Sequence, residues 1–166
     1  MDEGAHWGEW VRETIRAFAE QSPENDLRKG SRERAFDDPL VGFSSGDDPL
    51  YQDYKEHVGP FHWTPWEIYS QNQPQMPAKA HDLTVISWVL PQRKAVRKSN
   101  REDKTYPSQE WARIRVYGEE CNAALRRHLV QTLNQAGHAA VAPMQAASCT
   151  IVFTARFSYP CSMPVF

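Results

Sequence analysis

The chain has 166 residues, with 19 Lys and Arg against 21 Asp and Glu, so its formal charge is -2. That length suits one domain with a sizeable core, and the balanced charge excludes a strongly basic, dedicated nucleic-acid binder. Three cysteines are too few for a disulfide scaffold, and no apolar run reaches the ~18 residues of a membrane span. The opening MDEGAHWGEW is acidic and aromatic, unlike a secretory or transit peptide, so a soluble, cytoplasmic protein is expected.

The charge is unevenly spread. Residues 1–90 hold 8 Lys and Arg against 16 Asp and Glu, while residues 91–107 hold 6 against 2. Residues 108–166 hold 5 against 3, and from Gln145 onward Arg156 is the one charged side chain. A short basic segment therefore joins two dissimilar halves.

In chain order, Trp7, Trp10, Val11, Thr14 and Phe18 follow helical spacing, with Glu9, Arg12, Glu13 and Arg16 opposite. Pro23 and the polar run after it end that helix. Residues 40–43 form a short strand candidate. Asp48 and Pro49 read as an N-cap and first helical position, opening a helix over 50–58 that Gly59-Pro60 stops. Residues 60–78 carry four prolines and are predicted to be mostly loop.

Residues 83–90, LTVISWVL, are the strongest strand candidate, apolar enough to be buried on both faces. The basic stretch 91–107 is predicted as a long loop. A helix then starts near Ser108 and runs to about Gln135, with Trp111, Tyr117, Cys121, Leu125, Leu129 and Leu133 as its buried stripe. Gly137 falls where a left-handed terminating residue is wanted, and residues 139–142 make a further strand. Strand 83–90, helix 108–135 and strand 139–142 predict a β-α-β crossover with parallel strands, hence an α/β fold with an N-terminal helix.

The usual chemical signatures fail. There is no glycine-rich phosphate loop, no G-x-S-x-G elbow and no H-E-x-x-H. The histidines at 6, 57, 62, 81, 128 and 138 never pair at helical spacing, and Cys121, Cys149 and Cys161 match neither zinc nor iron–sulfur runs. No metal site and no catalytic residue is predicted within the chain. His62, between Phe61 and Trp63, reads either as an acid–base group or as a packed loop histidine. Trp63, Trp66 and Trp88 read either as walls of a flat ligand pocket or as core. Glu119 and Glu120 read as surface helix charges, and Cys121 as an inert buried thiol. Arg93, Lys94, Arg97, Lys98, Arg101 and Lys104 form either a phosphate-contacting segment or a solvated loop.

Three stretches in order, LVGFSSGDDPLY at 40–51, LTVISWVLPQ at 83–92 and SQEWARIRVYGEECNAALRRHLVQTLNQAGHAAVAPM at 108–144, carry a family likeness. They resemble the N-terminal part of the epoxyqueuosine reductase-like iron–sulfur proteins, oxidoreductases of tRNA queuosine modification that depend on cobalamin. The resemblance implies the first half of a corrinoid-binding α/β domain, with cobalamin and two 4Fe-4S clusters in the full-length family. The family's Y-A-x-G-x-D-Y-H pattern falls on residues 115–122, where Gly118 matches, Glu120 replaces the acid, and Cys121 and Asn122 replace tyrosine and histidine. By that resemblance Arg115, Tyr117, Gly118 and Asn122 are the candidate cofactor-binding residues.

Residues 1–144 are thus expected to be a truncated N-terminal half of such a protein, and 145–166 an aberrant, non-family tail. The expected function is that of a fragment of the reductase, inactive alone, because three cysteines cannot hold two clusters. The expected partner is tRNA, through the basic segment 91–107; no DNA and no membrane are expected. The alternatives are a non-catalytic binding or interaction domain and a non-functional truncated gene product.

Overall fold

A computed structural model describes residues 3–27, 33–102, 104–142 and 150–154. It is a mixed α/β fold whose described elements are α1 (Glu3–Gln21), β1 (Leu40–Ser45), α2 (Leu50–Val58), α3 (Pro65–Asn72), β2 (Leu83–Val89), α4 (Lys94–Glu102), α5 (Gln109–Gln135), β3 (Ala140–Val141) and β4 (Thr150–Thr154). The chain divides into two compact units. The first comprises residues 1–11, 42–87 and 130–166, and the second residues 12–41 and 88–129.

The first unit is built on a four-stranded sheet of order β1-β2-β4-β3. Strand β4 runs antiparallel to both neighbours, pairing Val85 with Val152 on one side and Val141 with Val152 on the other. Strands β2 and β3 are therefore parallel to each other, as the crossover requires, but they are not adjacent. Between them lies Thr150–Thr154, within the segment expected to be a non-family tail. Its sequence, TIVFT, is β-branched and aromatic throughout, which suits a central strand.

Helix α3 corrects the expectation of a loop over 60–78. Prolines usually break helices, but Pro65 occupies the first helical position, where its missing N–H costs nothing. Thr64 Oγ1 accepts the Glu67 N–H at 3.3 Å, while the Glu67 carboxylate accepts the Thr64 N–H at 2.8 Å. This reciprocal capping box satisfies two orphan donors at the helix start, and Lys55 of α2 pairs with Glu67. The Lys55 ammonium and the Thr64 N–H hold the Glu67 carboxyl below its ordinary range. The helix buries Tyr69 among Leu83, Val85, Ala139 and Val141, with Tyr51, Ile68 and Ala78 at the margin. Trp7 stacks edge-on against His138 at 4.3 Å.

The second unit has its own core of Leu27, Ala35, Phe36, Val96, Ile114 and Cys121. Residues 35–37 run antiparallel to residues 91–93, with Asp37 N–H donating to Pro91 O at 2.8 Å. Helix α4 corrects the second loop expectation. It buries Val96 on one side while Lys94, Arg97, Lys98 and Arg101 are exposed, a spacing of three and four that a helix, not a loop, organises. Ser108 caps α5 as expected, its Oγ accepting the Trp111 N–H at 3.2 Å.

The α5 stripe departs from the expected one at its second member. Ile114, Cys121, Leu125, Leu129 and Leu133 are buried, while Tyr117 is half-buried on the flank. Ile114 lies three residues after Trp111 and seven before Cys121, on the line that Tyr117 misses. Gly137 ends α5 with φ 88°, the left-handed conformation expected of it.

Candidate functional site

The residues that the resemblance assigns to a cofactor lie on α5 within the second unit. Spacings of three and four put Arg115, Gly118 and Asn122 on one face of the helix, with Tyr117 turned away. Arg115 is exposed, Tyr117 and Asn122 are half-buried, and Gly118 is buried.

Gly118 is buried by protein. A Cβ built on it meets the Phe36 ring at 2.7 Å and Ile114 Cγ2 at 3.2 Å. The missing side chain admits Phe36, whose backbone is fixed by Asn25. Asn122 has a structural partner too, its Oδ1 accepting the Trp88 indole N–H at 3.1 Å. One turn further on, Arg126 pairs with Glu119 at 3.0 Å. Protein side chains thus occupy the space beside Gly118 and engage Asn122, which does not fit a corrin ring laid against Gly118, while Arg115 is exposed.

Cys121 is 2% exposed in the second unit's core. Burial, and then the nearby Glu24 charge, push its thiol up to about 11. This matches the inert thiol read from the sequence. At pH 8 its thiolate fraction is on the order of 100-fold below that of a free cysteine. Alkylation of Cys121 with iodoacetamide, read by peptide mass spectrometry, is expected to lag far behind the same reaction in urea. Because the thiol titrates higher folded than unfolded, its contribution to stability is fully present below about pH 9. It is lost as pH rises toward 11. Urea midpoints at pH 8 and 10.5 are expected to show that fall, and a Cys121→Ala chain to show less of it.

The other sequence candidates are dispersed. His62 belongs to the first unit, its ring 5.9 Å from that of Tyr54, and its buried Nδ1 has no hydrogen-bond partner among the described residues. Trp63 and Trp66 are 49% and 46% exposed, and the Trp66 indole N–H donates to Ala78 O at 3.0 Å. Trp88 belongs to the second unit, where it is buried as a core residue. A recess of about 210 Å³ lined by Arg12, Arg16, Pro39, Leu40 and Val41 is smaller than the roughly 300–1,000 Å³ usual for small-molecule sites.

No family model, curated protein or solved structure matches this chain. Geometry therefore carries the assignment alone. Among the described residues no three His, Cys, Asp or Glu side chains converge as a metal site, and no helix is long and apolar enough to cross a membrane. The strongest site-like feature is α4, whose helical spacing is legible in the sequence beneath the strongly hydrophilic composition that suggests a loop. Lys94, Arg97, Lys98 and Arg101 form one exposed basic face, with Lys104 and the 74% exposed Tyr106 just beyond. Lys98 makes a loose pair with Glu102 at 3.7 Å, and Arg93 with Asp37 at 3.9 Å. Both pairs are solvent-exposed and therefore weak.

Proposed function

We propose that residues 1–144 are a non-autonomous portion of a reductase resembling the epoxyqueuosine reductases, contributing scaffold and RNA contact. The three family-like stretches support this by their order, since they coincide with β1 and the start of α2, with β2, and with α5 running into β3. The observation that carries the inactivity is the occupied α5 face, where Phe36 fills the space beside Gly118 and Trp88 engages Asn122. Cobalamin chemistry is accordingly assigned to no residue of this chain. Each 4Fe-4S cluster also takes about four cysteine thiolates, and the whole chain has three.

The test lies in the encoding DNA past codon 144. A cysteine-rich run of ferredoxin spacing in one of the three frames is expected, and its absence from all three overturns the reading. The purified chain is expected to hold no stoichiometric iron or sulfide after anaerobic reconstitution.

The RNA contact is assigned to the basic face of α4. Phosphates neutralised by Lys and Arg release counterions, so affinity falls with salt in proportion to the contacts made. Changing Arg97→Gln and Lys98→Gln together is expected to weaken binding of a labelled tRNA about tenfold at 50 mM KCl and to lower the salt slope by roughly one to two. Anisotropy titrations at 50 and 200 mM KCl measure both. An unchanged slope removes α4 from the interface.

The second reading, a non-catalytic interaction domain, is favoured by one observation: the aromatic side chains left exposed around α2.

A further inference from the structure

Helix α2 buries none of its residues. Its inner side is held by Tyr51, whose hydroxyl hydrogen-bonds Ser44 at 2.6 Å, and by Lys55, which pairs with Glu67. The outer side carries Leu50, Tyr54 and Val58 at i, i+4 and i+8, one continuous stripe. These are 50%, 46% and 54% exposed, and Phe61, folded back over Gly59, is 74% exposed. Trp63, two residues further along the chain, is exposed as well, and the His62 ring closes against Tyr54. Isolated exposed apolar residues are ordinary, but a contiguous stripe rimmed by polar groups marks an interaction surface.

The rim decides the partner. Over residues 47–63 there are four acids, Asp47, Asp48, Asp53 and Glu56, against one lysine. That lysine is neutralised by Glu67. Asp48 is engaged in capping the helix, accepting the Leu50 N–H at 3.0 Å. Asp53 and Glu56 are exposed on the same helix as the stripe. An aromatic surface in a negative field attracts cations twice over, through the ring quadrupole and through the carboxylates. The same field repels RNA phosphates, so this surface and the basic face of α4 select for opposite chemistries.

We propose that the outer face of α2 together with residues 59–63 docks a segment of a partner protein that presents Lys or Arg alternating with apolar side chains. The guanidinium or ammonium groups lie over Tyr54, Phe61 and Trp63, and the apolar side chains cover Leu50 and Val58. This is independent of the reductase reading and uses different residues.

The test titrates the full chain into a fluorescein-labelled peptide of four Arg-Leu repeats and follows anisotropy. Saturable binding is expected, falling at least tenfold for a Tyr54→Ser, Phe61→Ser chain. It is expected to fall severalfold, with a flatter salt dependence, for an Asp53→Asn, Glu56→Gln chain. All of these positions are exposed, and circular dichroism melts confirm that the variants fold; Val58→Ser, expected to weaken binding on its own, is the second probe. No binding of the Arg-Leu peptide, equal binding by the serine chain, or equal binding of a Glu-Leu peptide overturns the proposal. A self-association of the unmodified chain that Tyr54→Ser dissolves also overturns it, because a second copy is then the occupant.

Discussion

Replacing Asn25 with alanine is expected to remove about 3–5 kcal/mol of stability. Asn25 is 5% exposed and ties together three segments of the second unit. Its Oδ1 accepts the N–H groups of Ala35 and Phe36 at 3.1 and 2.9 Å. Its Nδ2 donates to Ala19 O at 2.8 Å, at the end of α1, and more distantly to Phe36 O at 3.4 Å. Ala19, Ala35 and Phe36 are themselves buried, so water replaces these bonds poorly. Each buried group left unpaired costs about 1–3 kcal/mol, and the substitution strands the Ala35 and Phe36 donors and the closely bonded Ala19 acceptor. Against a total stability of roughly 5–15 kcal/mol that is a large fraction. Urea denaturation monitored by tryptophan fluorescence measures it. Ser22→Ala is the control, since Ser22 Oγ accepts an exposed Glu24 N–H at 3.2 Å and its loss is expected to cost no more than about 1 kcal/mol. A loss below about 1 kcal/mol for Asn25→Ala contradicts the role assigned to it.

Asn25 also shows where sequence reasoning stops. In the chain it stands in a polar run after Pro23, where asparagine ordinarily means a turn. Its partners Ala35 and Phe36 lie 10 and 11 residues away, across a segment with no periodicity to follow. Local patterns recover elements whose cause is local. Helix α2, strand β2, the Ser108 cap and the terminating Gly137 all follow from adjacent residues, and each stands where the sequence places it. Two other local signals are present but outweighed. Thr64-Pro65-Trp66-Glu67 is a capping box with proline at the first helical position, yet the prolines around it suggest a loop. The run from Lys94 to Arg101 has helical spacing, yet its hydrophilicity hides the single anchor, Val96.

Of the candidate site, the sequence shows the residue types but not their neighbours. Gly118 and Asn122 are correctly placed on one face of α5, and nothing in the chain announces that Phe36 and Trp88 occupy that face. Phe36 is 82 residues from Gly118. A glycine on a long helix therefore admits two readings until the opposing side chain is seen.

Those two readings separate on one substitution, Gly118→Leu. A glycine kept bare for a macrocycle stands beside open space in the protein alone, so leucine there gains helix propensity of about 1 kcal/mol and loses nothing else. A glycine kept bare for Phe36 has no such space. Its added Cβ alone sits 2.7 Å from the phenyl Cζ and 3.3 Å from Cε2. The ring has little room to retreat, because the Phe36 backbone is held by Asn25 and bridged to Gln92. Overpacking of this kind costs typically about 1–3 kcal/mol and occasionally more, and three further heavy atoms place Gly118→Leu at roughly 3 kcal/mol, net of the propensity gain. Gly118→Ala is expected to lose about 1 kcal/mol, the clash outweighing the propensity by a small margin. The companion Phe36→Ala opens the space again. In the double variant leucine fills the volume the ring leaves, so the two losses are expected to fall short of additivity by at least about 1 kcal/mol. Urea midpoints for the four chains close the cycle. If Gly118→Leu is neutral alone, or if the two losses simply add, then the face is open and the corrinoid assignment of Gly118 regains its physical basis. The expected coupling instead makes Gly118 a packing residue, and it moves the cofactor chemistry of any reductase containing this chain onto other residues.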